Sequence, residues 1–320
     1  MRGIDFILKR TAFALITVFV AVTINFVLFR ALPGDAITNL SKVPGATPAL
    51  RAELTKEFGL DKSKWAQYWV YLRKLTTGNL GVSYSTQEPV TTELWRAVGN
   101  TVPMVLLGTL FSIILGVITG VLAAWKRRTS LDYGSVGVAL TFYSLPTHWL
   151  GLMLLLLTAG YLPRGGREDE FLFDPSFMAH WLDVGKHMLL PSLTLGLVLY
   201  GQYTLVTRSA MLETLGEDFI LTARAKGLPD RTIVRRHAFR NAMLPVITLV
   251  ALSVGYIVAG SILIETVFSW PGVGLLVSRS VERRDWPVLQ GAFLLLTISV
   301  VFFNYVADLL YYEFDPRITT

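Results

Sequence analysis

The residues best suited to chemistry lie in one basic segment, 217–245, with the sequence EDFILTARAKGLPDRTIVRRHAFRNAMLP. The segment is held between two long apolar runs, and the rest of the chain is interpreted as membrane-spanning structure on either side of it. Basic residues between membrane spans are typical of a solvated cytoplasmic loop. The small residues Ala223 and Ala225 beside Gly227 favour another interpretation, a short helix pressed closely against another protein.

Local signals divide this segment into a helix, a glycine turn and a second helix. Asp218 suits the positive end of a helix over 218–226, and Gly227 is placed where a left-handed residue would end it. The turn that follows contains Pro229, whose missing N–H is tolerated at a first helical position. The second helix is predicted over 231–243, with one face shared by Ile233, Val234, His237, Ala238 and Asn241.

No catalytic set accompanies the segment. The sequence has no phosphate-binding loop of the form GxxxxGK[ST], so the chain by itself cannot hold ATP in the usual cradle. It has no metalloprotease HExxH, no Ser, His and carboxylate set with local motif support, and no cysteine for thiolate or disulfide chemistry. Bond-making chemistry is therefore expected from a partner.

The composition is that of an integral membrane protein. Hydrophobic residues make up 52% of the 320 positions and charged residues 16%, and the mean hydropathy of +0.51 is too high for an ordinary soluble fold. The net charge of +6 could suggest nucleic-acid binding. The charges cluster at the ends of apolar runs, however, so membrane topology explains them better and no nucleic-acid partner is expected.

Six apolar stretches are long enough to cross a membrane as helices. Pro146 interrupts the third stretch and is expected to kink it near mid-membrane. Gly116 and Gly120 in the second have a spacing that permits close helix contact. The first is predicted to be a retained helix rather than a cleaved signal peptide. The predicted spans are 11–29, 98–125, 133–161, 188–206, 244–268 and 288–312.

Lys and Arg are concentrated on one side of these spans, which predicts that both termini and the basic segment are cytoplasmic. The long first loop, 30–96, then lies on the opposite side, with short helices predicted over 47–59 and 63–78. Trp65 and Trp69 lie at helical spacing in the second of these helices. Such aromatic residues are typical of packing or of a membrane interface, and contact with a partner or substrate is the alternative.

Several isolated polar residues remain. His148 follows the predicted kink at membrane depth, where it either faces a pathway or bonds a neighbouring carbonyl as a neutral ring. Glu265 and Asp308 lie near span ends, where interfacial exposure is the simpler explanation. A solvated surface is favoured over a metal site for three residues that would share a helix face: His180, Asp183 and His187.

The basic segment resembles the cytoplasmic coupling loop of ABC importer permeases, in the form used by oligopeptide and dipeptide importers. The resemblance rests on TARAKGL at 222–228 and on RHAFRNAMLP at 236–245. Leu221 occupies the position of a glutamate in the general pattern, a departure shared with the peptide branch. Further matches in register are LPGD at 32–35, FGLD at 58–61, SWPGVG at 269–274, RRDWPVLQG at 283–291 and DLLYYEFDPRI at 308–318.

The resemblance implies an all-α membrane protein with about six transmembrane helices, the type I ABC importer permease fold, in the first-permease form with a long extracytoplasmic loop. The implied divisions are a first helix and loop over 1–96, a permease core over 97–312 that includes the coupling loop 207–243, and a cytoplasmic tail over 313–320. The implied ATPase-coupling residues are Asp218, Phe219, Thr222, Ala223, Arg224, Ala225, Lys226, Gly227 and Arg236. Candidate pathway residues, chosen for their depth in the spans, are His148, Tyr200, Gln202 and Tyr203.

The resemblance also implies the partners. They are a second homologous permease, two cytoplasmic ATPase subunits that bind ATP and Mg, an extracytoplasmic substrate-binding protein and membrane lipid, with no cofactor or metal in this chain. Peptide import by alternating access across the cytoplasmic membrane is expected. Nickel, haem, opines or oligosaccharides remain alternative cargoes, and a self-contained channel or secondary transporter is the rival from another class.

Overall fold

The computed structural model describes residues 2–31, 55, 61–169, 171, 176–255 and 262–314. Their regular structure is helical, apart from two isolated β-bridges, Val82–Pro89 and Ala159–Leu162. The helices are α1 Arg2–Ala31, α2 Lys64–Thr76, α3 Val90–Trp125, α4 Ser130–Ser144, α5 Thr147–Leu157, α6 Phe177–Thr214, α7 Asp218–Ala225, α8 Asp230–Thr232, a π-helix Ile233–Ala238, α9 Phe239–Gly255, α10 Ile262–Val267, α11 Val273–Arg283 and α12 Trp286–Phe314.

Four of the described helices are long and apolar enough to cross a membrane, and a fifth span is obtained if α4 and α5 count as one bent span. In α1, within the apolar stretch Asp5–Phe29, only 17% of the residues of the 18-residue apolar window are buried, and Phe13 and Leu15 are 68% and 65% exposed. Large apolar side chains on an outer helix face are suited to lipid. The predicted fifth span, 244–268, includes 256–261, which lie outside the described residues.

Pro146 breaks the third predicted span instead of kinking it. α4 ends at Ser144, α5 begins at Thr147, and the two axes differ by 105°. Leu145 and Pro146 have ψ angles of 134° and 126°, outside the helical region. Proline disfavours helical geometry in the residue before it and cannot supply the helical N–H, so the chain is extended at both positions.

Several helices extend beyond their predicted spans, among them α1, which begins at Arg2, and α3, which begins at Val90. α6 begins at Phe177, where the Ser176 side chain accepts a hydrogen bond from the Ala179 N–H, so part of the predicted polar loop is helical. α9 runs through Pro245 to Gly255, so the predicted second helix of the basic segment does not stop at 243. In the first loop, α2 confirms the helix predicted from Ser63. The helix predicted over 47–59 lies almost wholly outside the described residues.

Packing divides the chain into two compact units, Met1–Asn100 with Gly272–Thr320, and Thr101–Pro271. The first unit has an apolar core formed by Val90, Leu94, Ala97, Val273, Val277, Val288, Leu289 and Ala292. The second unit has one core around Met104, Leu190, Phe268 and Trp270 and another beneath the basic segment. The division into 1–96, 97–312 and 313–320 concerns function and stays a prediction.

The predicted close contact at Gly116 and Gly120 is confirmed, and the partner helix is α6. A Cβ atom at Gly116 would lie 2.6 Å from the Tyr203 Cβ, and one at Gly120 would lie 2.7 Å from the Thr204 carbonyl oxygen. Between these glycines, the Thr119 hydroxyl lies 3.0 Å from the Thr204 hydroxyl. Small residues therefore let the two backbones meet and share a polar contact.

Replacement of Gly120 by valine is expected to destabilise the second unit by about 2 kcal/mol, because the added side chain must displace backbone atoms of α6. The measurement is the midpoint of thermal unfolding of the purified protein in detergent. Gly134→Val is the matched control, since a Cβ at that helical glycine meets nothing within 4 Å. Equal midpoints for the two variants would contradict the expected role of Gly120.

Candidate functional site

The basic segment folds as a short helix that ends in a complete glycine cap. α7 is followed by Gly227, whose φ of +74° is left-handed. The Gly227 N–H donates to the Arg224 carbonyl at 2.9 Å, and the Leu228 N–H donates to the Ala223 carbonyl at 3.3 Å. These two bonds form a Schellman motif, which satisfies carbonyls that a helix end leaves without partners. The predicted helix and its left-handed glycine are confirmed.

The second half of the segment has a π-helix that sequence periodicity did not predict. Over Ile233–Ala238 the hydrogen bonds span five residues, as in the Phe239 N–H bond to the Val234 carbonyl. The wider turn changes which residues share a face: Ala238 is buried, whereas Asn241 is exposed. The predicted shared face is therefore wrong at Asn241. Such π turns occur frequently at functional sites.

One side of α7 packs into its own chain. Ile220 is fully buried and Ala223 is 5% exposed, and both belong to the core beneath the segment. That core also contains Ala124, Ala210, Met211, Ile233, Val234, Ala238 and Ala242. The small side chain of Ala223 therefore allows close packing within this chain. As a result, α7 is joined by apolar contacts to α3, α6 and the π-helix.

The opposite side of α7 is exposed and partly apolar. Phe219 is 41% exposed and Leu221 is 56% exposed, although both are large apolar side chains. The other exposed positions are Asp218, Thr222, Arg224, Ala225, Lys226 and Gly227, together with Arg236 on the π-helix. Eight of the nine predicted coupling residues thus lie on the surface, and Ala223 does not.

A charge pair that sequence reasoning missed links α4 to α6. The Arg208 side chain donates to the Asp132 carboxylate through Nε at 2.6 Å and through a terminal nitrogen at 3.0 Å. The Arg128 N–H adds a third bond to this carboxylate, at 2.9 Å. Asp132 is 1% exposed, so the pair is a buried, bidentate contact. The available signal was the lone aspartate after the basic turn 126–128.

The four candidate pathway residues lie in different surroundings. Tyr200 and Tyr203 are buried in the second unit, and the Tyr203 hydroxyl donates to the Ser253 Oγ at 2.9 Å. Gln202 is half-buried and His148 is exposed. Both tyrosines therefore take part in helix packing. A role in a pathway stays a prediction for all four residues.

The predicted interfacial exposure is wrong for Glu265. Its side chain is fully buried and accepts a hydrogen bond from the Thr101 hydroxyl at 2.8 Å. Asp308, in contrast, forms a partly exposed ion pair with Arg10 at 2.9 Å. Glu265 belongs to the interior of the second unit, because its short helix α10 is covered by residues far away in sequence.

Two of the candidate metal-ligating residues pair with each other. The His187 ring lies 3.0 Å from the Asp183 carbonyl oxygen, while His180 lies 3.3 Å from the Glu168 carboxylate. His187 is only 9% exposed, so the predicted solvated surface is wrong for this residue. Within the described part of the chain, no group of three His, Asp or Glu side chains could hold a metal ion.

The aromatic residues of α2 have two different roles. Trp65 and Trp69 are 72% and 65% exposed, whereas Tyr68 is 8% exposed. Tyr68 packs edge-on against Phe26 at 5.2 Å between ring centroids and hydrogen-bonds Thr23 at 2.8 Å. α2 is therefore anchored to α1 by its tyrosine side and presents its tryptophans outward. An outward position is typical of a membrane interface or a contact surface.

Long apolar helices that carry a capped, basic helix-turn-helix segment place the chain in the class of multi-pass membrane proteins. Residues 112–320 match the family described as "Binding-protein-dependent transport system inner membrane component", and residues 3–105 match the N-terminal family of the same membrane component. The chain belongs to this family of binding-protein-dependent transport permeases.

Named relatives align with nearly the whole chain. It is 39% identical over 335 residues to the dipeptide transport system permease protein DppB of Escherichia coli K12, with 98% of each chain covered. It is 38% identical to the di/tripeptide transport system permease protein DppB of Pseudomonas aeruginosa, again with 98% of each chain covered. It is 32% identical to the glutathione transport system permease protein GsiC of Escherichia coli O6:H1, covering 98% of this chain and 99% of that one.

The fold is also that of a solved transporter. The structure of inward-facing conformations of the MetNI methionine ABC transporter aligns with a TM-score of 0.55, covering 71% of this chain and 98% of the other. The sequence identity is 18%, so the likeness concerns the fold. The chain thus has the all-α fold of a type I ABC importer permease.

Proposed function

We propose that this chain is one of two membrane-spanning permeases of an ABC importer that moves di- or oligopeptides into the cytoplasm. The main support for the proposal is the exposed outer side of α7, which a complete glycine cap holds in place. The relatives of the chain are named for dipeptide, di/tripeptide and glutathione transport. All three names refer to peptide or peptide-like cargo, so peptides are favoured over nickel, haem or oligosaccharides as the cargo of this chain.

In the proposed assembly a second homologous permease completes the membrane part. Two ATPase subunits bind ATP and Mg on the cytoplasmic side, and an extracytoplasmic substrate-binding protein delivers cargo on the other side. The surplus of Lys and Arg around the basic segment supports a cytoplasmic position for both termini and for α7. Membrane lipid covers the exposed apolar faces. His148, Tyr200, Gln202 and Tyr203 are proposed to contribute to the translocation pathway.

The two sides of α7 would couple movement of the ATPase to movement of the membrane spans. Its outer side, with Phe219, Thr222 and Lys226, is proposed to dock on an ATPase subunit. Its inner side, with Ile220 and Ala223, is packed against α3, α6 and the π-helix. Movement of the docked ATPase would therefore be passed to the spans as a rigid displacement. A shift from 1:99 to 99:1 between two states needs roughly 5.5 kcal/mol of differential binding, which a packed helix can transmit.

Phe219 is the residue expected to anchor the ATPase subunit. Replacement of this exposed aromatic side chain by aspartate is expected to weaken ATPase binding by about 2 kcal/mol or more, roughly 30-fold, as for other buried aromatic anchors at interfaces. The measurement is recovery of ATPase subunits with affinity-tagged permease, followed by dipeptide uptake in proteoliposomes. Phe171→Asp is the matched control, because Phe171 is 83% exposed and lies far from α7 in sequence.

Two results would contradict the proposal. Normal recovery of ATPase subunits with Phe219→Asp would remove α7 as the docking element. Dipeptide uptake by the permease alone, without ATPase subunits or ATP, would favour a self-contained channel or secondary transporter.

A further inference from the structure

Asp285 is a buried carboxylate that fixes a distant loop. It lies between α11 and α12 and is 1% exposed. Its oxygens accept hydrogen bonds from the Ser83 hydroxyl at 2.6 Å and from the Ser85 hydroxyl at 2.8 Å. They also accept the backbone N–H groups of Tyr84 at 3.1 Å and Ser85 at 3.0 Å. A buried carboxylate with four donors is fully compensated, and charge-assisted bonds of this kind are strong.

The fixed loop is a small hairpin over 82–89. Val82 and Pro89 form its antiparallel bridge, and the Ser83 N–H donates to the Glu88 carbonyl at 2.9 Å. Gln87 has a left-handed φ of +61°, which closes the tip. The exposed tip residues are Ser85, Thr86 and Gln87, all of which have side chains that form hydrogen bonds. Asp285 therefore holds a polar tip in one defined shape.

The same turn positions a group of arginines. The Asp285 N–H donates to the Ser280 carbonyl at 2.8 Å, and Arg284 is left-handed with φ of +55°. The inner side of α11 is buried through residues such as Val273 and Val277. Its outer side and end are exposed and basic, with Arg279, Arg283 and Arg284. This arginine side and the hairpin share Asp285 as their common anchor within the first unit.

We propose that the hairpin tip and the arginine side of α11 form a docking surface for an acidic face of the extracytoplasmic substrate-binding protein. The inference rests on the proposed function, which places loop 30–96 and the stretch between α10 and α12 on the extracytoplasmic side. Opposite charge speeds the encounter, and a surface already held in shape loses little entropy on binding. The exposed Glu282 and half-buried Glu88 lie within the surface. A protein face can place basic or polar groups opposite these two glutamates, whereas a uniformly anionic lipid surface cannot, so the mixed charges suit a protein partner better.

The test uses the assembled transporter in nanodiscs and its cognate binding protein, with and without dipeptide, and measures affinity at several salt concentrations. Arg279→Gln combined with Arg283→Gln is expected to lower affinity at least tenfold at low salt and to flatten its salt dependence. Arg73→Gln is the matched control, because it removes an exposed arginine from α2 on the same side of the membrane.

A second pair of variants tests the role of Asp285 in positioning the hairpin. Asp285→Asn is expected to speed hydrogen exchange over 82–88 and to lower affinity at every salt concentration. If that variant does not assemble, the double variant Ser83→Ala with Ser85→Ala removes the two hydroxyl hydrogen bonds and leaves the Asp285 carboxylate in place. Faster hydrogen exchange over 82–88 and lower affinity are then expected to a smaller degree than in Asp285→Asn.

The outcomes separate this inference from the proposed function. Wild-type nanodiscs that do not bind the binding protein would overturn both. If wild-type nanodiscs bind the binding protein and the arginine variants bind it with the same affinity, the docking surface alone would be overturned. The docking surface would also be overturned if the arginine variants lost affinity only for vesicles of anionic phospholipid. Faster exchange in the hairpin with unchanged affinity would show that Asp285 has only a structural role.

Discussion

Replacement of Gly227 by valine is expected to lower ATP-driven uptake at least tenfold while the transporter still assembles in the membrane. A non-glycine residue in the left-handed region costs roughly 1–2 kcal/mol, and a β-branched residue is a genuine outlier there. A Cβ at Gly227 would meet nothing within 4 Å, so steric contact with neighbours is not the cause. The expected loss comes from the cap: its two backbone bonds would open and α7 would lose its fixed position.

The measurement for Gly227→Val is peptide uptake and ATP hydrolysis in the same proteoliposomes. We expect hydrolysis to continue with little uptake, because the ATPase movement would no longer reach the spans through a rigid helix. Gly227→Asn is the matched control, since asparagine adopts left-handed conformations far more readily than valine. Normal uptake per ATP in the valine variant would contradict the assignment of this turn.

Loss of the buried charge pair is expected to have the largest effect on stability. Arg208→Ala would remove two of the three hydrogen bonds to the buried Asp132 carboxylate. Only the bond from the Arg128 N–H would remain. Removal of one partner of a buried pair typically costs about 3–5 kcal/mol, and the lower end applies here because the arginine side chain is 25% exposed. The thermal midpoint in detergent should fall by roughly 5–10 °C.

The matched control breaks a more exposed pair. Asp308→Asn removes the ion pair between Asp308 and Arg10. The Asp308 side chain is 32% exposed and the Arg10 side chain is 45% exposed, and ion pairs as exposed as this contribute about 1 kcal/mol or less to stability. Arg208→Ala combined with Asp132→Ala should recover part of the lost stability, because no buried charge is then left unpaired. A midpoint for Arg208→Ala as high as that of Asp308→Asn would contradict this account.

Features that depend on neighbouring residues were predictable from the sequence. Long apolar runs identify membrane helices because the bilayer requires every backbone group to be bonded internally. The left-handed Gly227 follows from glycine's lack of a Cβ, and Ser63 marks the start of α2 through its capping side chain. The coupling candidates could also be named, because their motif is contiguous.

Features that depend on distant residues were not predictable. The pairing of Asp132 with Arg208 joins residues 76 apart in sequence, and the contact of Asp285 with Ser83 joins residues 202 apart. A helical pattern also could not show that residues 233–238 form a π-helix, or that Ala223 faces its own chain while Phe219 faces outward.

By itself the sequence determined the membrane class, most helices and the glycine cap, because these depend on local backbone preferences and on the bilayer. Only the tertiary structure decided which charges are buried and which side of α7 is free, because burial depends on the elements that pack around each residue.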